Sequence, residues 1–249
     1  MLAIAHRGGN SIAALREALA VGVDLVEADV RLFRGTPEIR HRKTLGPWLL
    51  WDHPWELVLR KAADLPSLDD VLATLNGAER LMLDLKGIHP GLAPNVARTL
   101  RTAVPDTPIA VCTRQWRMLD AFRGKNAVRL VLSAGSRRQI GQLRVLLKSS
   151  PDSWPGARRA FGVSVKRTLI TANDVADFRR AVEHVMTWPV DTPAELDQAR
   201  RLGVTGVIGN DLTLLEELLA ARTHSHRRRR HGSSTAAPLS LPAARSASA

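Results

Sequence analysis

Eight short apolar runs, each about one strand long, recur along this chain, separated by stretches whose apolar residues repeat at helical spacing. That alternation confines the chain to strand–helix units laid on a parallel sheet. The predicted strands are 2–6, 24–32, 80–86, 108–112, 127–133, 160–165, 184–190 and 205–209. Helical patterns fall at 11–22, 67–76, 92–103, 115–123, 137–148, 172–182, 193–202 and 211–221. Eight such units predict an α/β fold closed as a TIM-type (β/α)8 barrel, although an open doubly wound sheet accepts the same rhythm. Residues 33–42 read as a hairpin arm turning at Gly35, and 43–66 as a loop rich in Trp, Pro and Leu.

The length of 249 residues suits one barrel-sized domain, expected at 1–221. From 222 onward the composition turns to His, Arg, Ser, Ala and Pro, with too few large apolar residues to offset the entropy of ordering. A disordered Arg/Ser/Ala-rich tail is therefore expected over 222–249. Six arginines and no acids lie in that stretch, so it holds half of the net charge of +12 and leaves a mildly basic body. The run Arg227–Arg228–Arg229–Arg230 suits contact with an anionic membrane, and no specific nucleic-acid partner is expected.

One cysteine, Cys112, excludes an intramolecular disulfide and any multi-cysteine metal site, which points to a reducing compartment. With the first strand beginning at Leu2 and no uninterrupted apolar run of membrane-spanning length, a cytoplasmic location is expected.

The second predicted strand alternates so that Glu27, Asp29 and Arg31 share one face while Val26, Ala28, Val30 and Leu32 take the other. The third repeats the device, with Asp84 and Lys86 on one face against three leucines. Barrel strands are covered outside and filled inside, so paired carboxylates there need a cation. Hard oxygen ligands from neighbouring strands suit a divalent cation, Ca²⁺ or Mg²⁺. A ladder of salt bridges among the same five residues is the competing account.

His6 ends the first strand and His41 ends the hairpin arm, near where the second strand delivers its acids. Two imidazoles beside a phosphodiester can serve as general base and general acid. His53, His89 and His184 are expected to be structural, and His224, His226 and His231 belong to the tail. The glycines Gly203, Gly206 and Gly209 follow a helix and run through a strand, the reverse of a dinucleotide fingerprint. No Gly-x-Ser-x-Gly context offers a nucleophilic serine.

Ala5-His6-Arg7-Gly8-Gly9, Gly22 to Val30, Glu38-Ile39-Arg40-His41 and Leu83-Asp84-Leu85-Lys86 together resemble the glycerophosphodiester phosphodiesterase family. Met186 to Asp191 and Gly203 to Asp211 resemble its last two strands, so the likeness covers about 2–221. The resemblance implies a TIM-type barrel in which Glu27, Asp29 and Asp84 bind the divalent cation and His6 and His41 handle protons. It further implies that Arg7 and Lys86 neutralise the phosphate and that Trp188 forms an aromatic wall. The implied reaction is hydrolysis of glycerophosphodiesters to glycerol 3-phosphate and an alcohol.

Four departures bear on substrate. Arg42 follows His41 where the family has Asp, and Asn10-Ser11 follows Gly9 directly without the usual Pro-Glu-Asn segment. Asp84 stands where Glu is common, and 43–66 is shorter than the family's inserted subdomain. An open mouth rimmed by Trp48, Leu49, Leu50, Trp51 and Trp55 would favour an acyl chain. Cleavage of lysophospholipids with a cyclic phosphate product is therefore the alternative substrate reading. A catalytically degenerate basic binding module is the non-enzymatic one.

Overall fold

The computed structural model describes residues 1–52, 56–75, 80–125 and 127–232, the last ten of these by backbone alone. Its strands are β1 (Leu2–Ala5), β2 (Leu25–Phe33), β3 (Thr36–Ile39), β4 (Lys43–Leu45), β5 (Leu49–Trp51), β6 (Leu57–Leu59), β7 (Leu81–Leu85), β8 (Ala110–Thr113), β9 (Arg129–Ala134), β10 (Gly162–Lys166), β11 (His184–Trp188) and β12 (Gly206–Gly209). Eight of them pair in parallel in the order β1-β12-β11-β10-β9-β8-β7-β2, and β2 returns to β1, so the sheet closes. The expected (β/α)8 barrel of the TIM type is the observed fold, and the open-sheet alternative is excluded by the β1–β2 pairing.

Outside the barrel pack α1 (Ile12–Val21), α2 (Leu68–Leu75), α3 (Leu92–Ala103), α4 (Arg137–Leu146), α5 (Ala172–Ala181), α6 (Pro193–Leu202) and α7 (Leu212–Gly232). Their ends follow local chemistry. Ser11 caps α1 by accepting from the Ala14 amide, and Gly22, at φ 81°, closes it in the left-handed conformation. Thr171 and Asp174 form a reciprocal capping box on α5, and Thr192 with Pro193 opens α6.

Two expectations are corrected. The stretch expected as a helix at 115–123 is a 3₁₀ helix, Trp116–Phe122, whose Trp116 indole donates to the Ser133 carbonyl at 2.8 Å. The expected loop at 43–66 contains a small antiparallel sheet in the order β4-β5-β6. Its strands are only three residues long, too short to show an alternation in sequence. The last helix runs on to Gly232, past the composition change at 221, and 233–249 lie outside the described residues. Among the described residues no helix is long and apolar enough to cross a membrane.

Two apolar layers hold the barrel. Outward-facing Val26, Ala28, Val30, Leu81, Leu83 and Leu85 join the helices in the larger core. Ile4, Leu25, Met82, Cys112, Met186 and Ile208 fill the lower interior. Glycines make room there: a Cβ on Gly206 would stand 2.8 Å from the Met186 side chain. Ascending each strand, the inward positions change from apolar to polar, as from Leu25 to Glu27 and Asp29, or from Met82 to Asp84. The interior is thus sealed below and chemically equipped above.

Asp174 illustrates how charge secures the helical coat. Burial by itself would push its carboxyl up, but Arg144 at 2.7 Å and the Thr171 hydroxyl and amide hold it below the usual range. A depressed carboxyl contributes stability that is present at neutral pH and lost as pH falls through its folded value. Asp174→Ala should therefore cost about 0.5–2 kcal/mol at pH 7, the scale of a lost helix cap. Denaturant melts of the two proteins should converge in acid; a gap unchanged down to strongly acidic pH would refute the assignment.

Candidate active site

The polar ends of β1, β2 and β7 meet at the C-terminal mouth of the barrel, where this fold carries its chemistry. Register sets the arrangement. Asp29 on β2 lies directly beside Asp84 on β7, and Glu27 lies one inward position below Asp29. Each of Glu27, Asp29 and Asp84 offers an oxygen within 4.8 Å of the others, and Glu27 and Asp29 are buried. The structure thus brings together the three acids singled out in the sequence.

Two cations share this cluster. Lys86 hydrogen-bonds Asp84 and makes an ion-pair contact with Asp29 Oδ1 at 2.9 Å. Although burial would lower the lysine, Asp84, Asp29 and Glu27 hold it well above its ordinary value, so it stays charged. Arg7 Nε stands 3.6 Å from Asp29 Oδ2, with 40% of the side chain exposed toward the mouth. Its backbone is left-handed at φ 55°, which aims its amide at Glu27 Oε2, 2.7 Å away.

The salt-bridge ladder does not account for the cluster. Arg31 turns away, donating from Nε to the His41 carbonyl at 2.9 Å. Glu27 Oε1 is buried with no hydrogen-bond partner. Burial, then the charge of Asp29, pushes the Glu27 carboxyl well above the usual range. Burial likewise raises Asp84 despite Lys86. Asp29 is held low against its own burial by Lys86 and by Asn10. A buried oxygen lacking a donor within an all-carboxylate set is what a hard divalent cation would satisfy, so the residues present fit such an ion.

Asn10 was missed as a site residue. Its side chain donates to Asp29 Oδ2 at 2.9 Å and accepts from the Asp29 amide at 2.8 Å, fixing the carboxylate's rotamer. Gly9 permits the close approach, since a Cβ there would stand 2.6 Å from Ala28 Cβ. The signal available was an amide following the glycine pair.

Both histidines are oriented through Nδ1. Asn210 donates from Nδ2 to Asp191 Oδ2 at 2.9 Å, which leaves its Oδ1 facing His6 Nδ1 at 2.9 Å. His6 therefore carries its proton on Nδ1 and presents the Nε2 lone pair. His41 Nδ1 meets the Asp52 carboxylate at 2.8 Å. Burial lowers both histidines, reinforced at His6 by Arg7, while at His41 Asp29 and Asp52 pull upward. Asp52 was missed because it sits in the segment read as a loop.

Trp188 ends β11 as an inward residue, and its ring would lie 3.5 Å from a Cβ on Gly135. His184 stands at the other end of the same strand, tilted against Phe161 with ring centroids 4.6 Å apart. His89 accepts from the Gly91 amide in a loop at 3.1 Å, and His53 and Trp55 lie outside the described residues. Arg42 pairs with Glu56 at 2.7 Å. Buried Cys112 has its thiol pushed well up by that burial, so it is no nucleophile.

The mouth of the eight-stranded barrel thus gathers three clustered carboxylates and two oriented histidines, a set suited to cation binding and proton transfer. No family model matches the chain. A probable glycerophosphodiester phosphodiesterase 2 of Mycobacterium tuberculosis is 28% identical over 244 residues, covering 89% of this chain and 91% of that protein. Among solved structures, an Oleispira antarctica phosphodiesterase in complex with the product sn-glycerol-3-phosphate superposes with a TM-score of 0.67 at 16% identity, covering 87% of this chain and 96% of the other. A glycerophosphodiester phosphodiesterase from Thermotoga maritima gives 0.67 at 17% identity, covering 88% and 98%. The resemblance carried by the sequence motifs is borne out by these likenesses to proteins named as glycerophosphodiester phosphodiesterases.

Because burial and the charge of Asp29 raise the Glu27 carboxyl, the fold without a cation carries a penalty that grows as pH rises from the ordinary glutamate range toward its raised folded value. Glu27→Gln should leave the apo protein at least as stable as the parent at neutral pH. It should also abolish the rise in melting temperature expected of the parent with Ca²⁺ or Mg²⁺. A variant that keeps the full metal-dependent rise would remove Glu27 from the cation site.

Proposed function

We propose that this chain is a divalent-cation-dependent phosphodiesterase that converts glycerophosphodiesters to glycerol 3-phosphate and an alcohol by histidine acid–base catalysis. The observation that carries the reading is the pair of histidines, each tethered at Nδ1, flanking three carboxylates with one unpartnered buried oxygen. Glu27, Asp29 and Asp84 would hold Ca²⁺ or Mg²⁺. When bound, the ion would offset charge on the phosphoryl oxygens and orient the diester.

The remaining chemistry belongs to the chain. Arg7 and Lys86 face the same space and neutralise the phosphate, and Trp188 walls the organic part. His6 has a neutral amide behind it and Arg7 beside it, so its Nε2 is the base that takes the proton from the glycerol hydroxyl next to the phosphate. That oxygen attacks phosphorus. His41, backed by the Asp52 carboxylate, can carry a proton on Nε2 and deliver it to the departing alcohol oxygen. Water then opens the resulting cyclic phosphate with the roles reversed, giving glycerol 3-phosphate and restoring both histidines. Cys112 is the lone cysteine, and a cytoplasmic setting accords with it.

His6→Ala and His41→Ala should each lower kcat by about 10²–10⁴, the scale of a positioned proton donor or acceptor, while still binding metal. Asp52→Asn should move the alkaline limb of the pH–rate profile, set by the acid His41, to lower pH while leaving the acidic limb, set by the base His6, in place. Full activity in His41→Ala would eliminate the acid assignment.

A second substrate reading is favoured by one observation, the exposed apolar side chains of the small sheet beside His41, which suit an acyl chain. Glycerophosphocholine and lysophosphatidylcholine offered side by side with Ca²⁺ or Mg²⁺, followed by phosphorus NMR, separate the two. Glycerol 3-phosphate from the first substrate is the expected outcome. A cyclic phosphate from lysophosphatidylcholine alone would select the lysophospholipid reading, and no turnover of either would return the barrel to a binding role.

A further inference from the structure

The three-stranded sheet β4-β5-β6 turns an apolar face to solvent. Its register pairs Leu45 with Leu49 and Leu49 with Leu59, and Lys43 with Trp51 and Trp51 with Leu57. Cross-strand partners share a face, so these six residues form one surface, while Thr44, Leu50 and Val58 form the other. Leu50 is fully buried, which fixes the second face as the one turned toward the protein. On the outer face Leu45, Leu57 and Leu59 are 51%, 54% and 50% exposed, and Trp48 in the adjoining turn is 73% exposed. Four of the six exposed large apolar residues among those described therefore sit on this one small element. Soluble surfaces scatter such residues singly, and a contiguous patch marks an interaction surface.

The charges around the patch choose the partner. Exposed Arg34 and Lys61 line a groove beside Trp48 and Leu59, with a volume of ≈ 600 Å³. Lys43 lies over the Trp51 ring at 4.4 Å, on the apolar face itself. The nearby acids Glu38, Asp52 and Glu56 are engaged by Arg40 and Arg60, by His41 and by Arg42 respectively, which leaves exposed Asp64 to oppose three lysine and arginine charges. Tryptophan and leucines ringed by cations match the boundary between the headgroups and acyl chains of an anionic bilayer.

We propose that the β4-β5-β6 face docks this enzyme on anionic lipid membranes. Asp52 directly follows the last residue of β5 and holds His41, so docking would bring the mouth of the barrel to the bilayer surface. The contact is separate from the arginine-rich tail, and it stands whether or not the proposed reaction is correct, because it is read by binding.

The test is flotation of the full-length chain with vesicles of phosphatidylcholine, with and without a minority of phosphatidylglycerol. The parent should float with the anionic vesicles. Leu57→Ser combined with Leu59→Ser should weaken that binding by about tenfold or more, since it removes two apolar anchors. Turnover of a soluble diester should be unchanged, which also reports a folded protein. Arg34→Glu with Lys61→Glu, which leaves the apolar face whole, should reduce binding to the anionic vesicles alone. Replacing Arg227–Arg230 by Ser should leave most of the binding in place. The proposal is overturned if the parent does not float, or if binding survives both sheet variants and disappears with the tail variant. It is also overturned if the leucine variant instead dissolves a dimer of the parent in size-exclusion chromatography.

Discussion

Three carboxylates share the mouth of this barrel with the Lys86 ammonium and the Arg7 guanidinium, and the surrounding structure is organised around that cluster. Asp29 is the one of the three whose carboxyl is held below its usual range, by Lys86 and by the paired hydrogen bonds of Asn10. Glu27 and Asp84 are pushed the other way by burial. A protein selected for stability alone would gain by replacing such a group with packed apolar side chains. The strain in the first turn after β1, with Arg7 left-handed and Gly9 pressed against Ala28, serves the same cluster, since it aims one amide at Glu27 and one amide side chain at Asp29.

The cost is borne below and outside. The inward positions of the lower barrel are aliphatic or sulfur-bearing, and the outward positions form a continuous core with the helices. Because side chains alternate at every step along a strand, a single strand such as β2 serves both ends of this division: Val26, Ala28 and Val30 anchor it to the helices while Glu27 and Asp29 face inward. The acids can therefore be changed with little consequence for packing. The outward valines and leucines cannot.

What could be read from the sequence follows this division. The eight barrel strands and the three acids were legible because period-two alternation and buried charge are properties of contiguous residues. His6 and His41 were legible as strand-end residues, but their roles were not. Those depend on Asn210 and Asp191 from the far side of the closure, and on Asp52 from an element whose strands are too short to show a pattern. The helix expected at 115–123 failed for a related reason. Its apolar spacing fits an α-helix, yet the turn is tightened to 3₁₀ where Asp120 also accepts from the Gly156 amide at 2.9 Å. Side-chain partners distant in sequence leave no local trace.

The small sheet shows how proton chemistry and surface character are joined. Relative to the inserted subdomain expected of the family, the segment is reduced to three short strands, and so few residues cannot enclose a core of their own. Only Leu50 finds full burial against the rest of the protein, so the leucines that alternate with it on neighbouring strands face solvent. The same shortness brings Asp52 within reach of His41, eleven residues earlier, closing a tight loop around the proposed acid. A larger insertion could separate these two tasks. In this chain the strand that turns half-buried Leu49 and Trp51 to the outer face is also the strand that delivers Asp52, so the apolar surface and the carboxylate partner of His41 are fixed by one short piece of backbone.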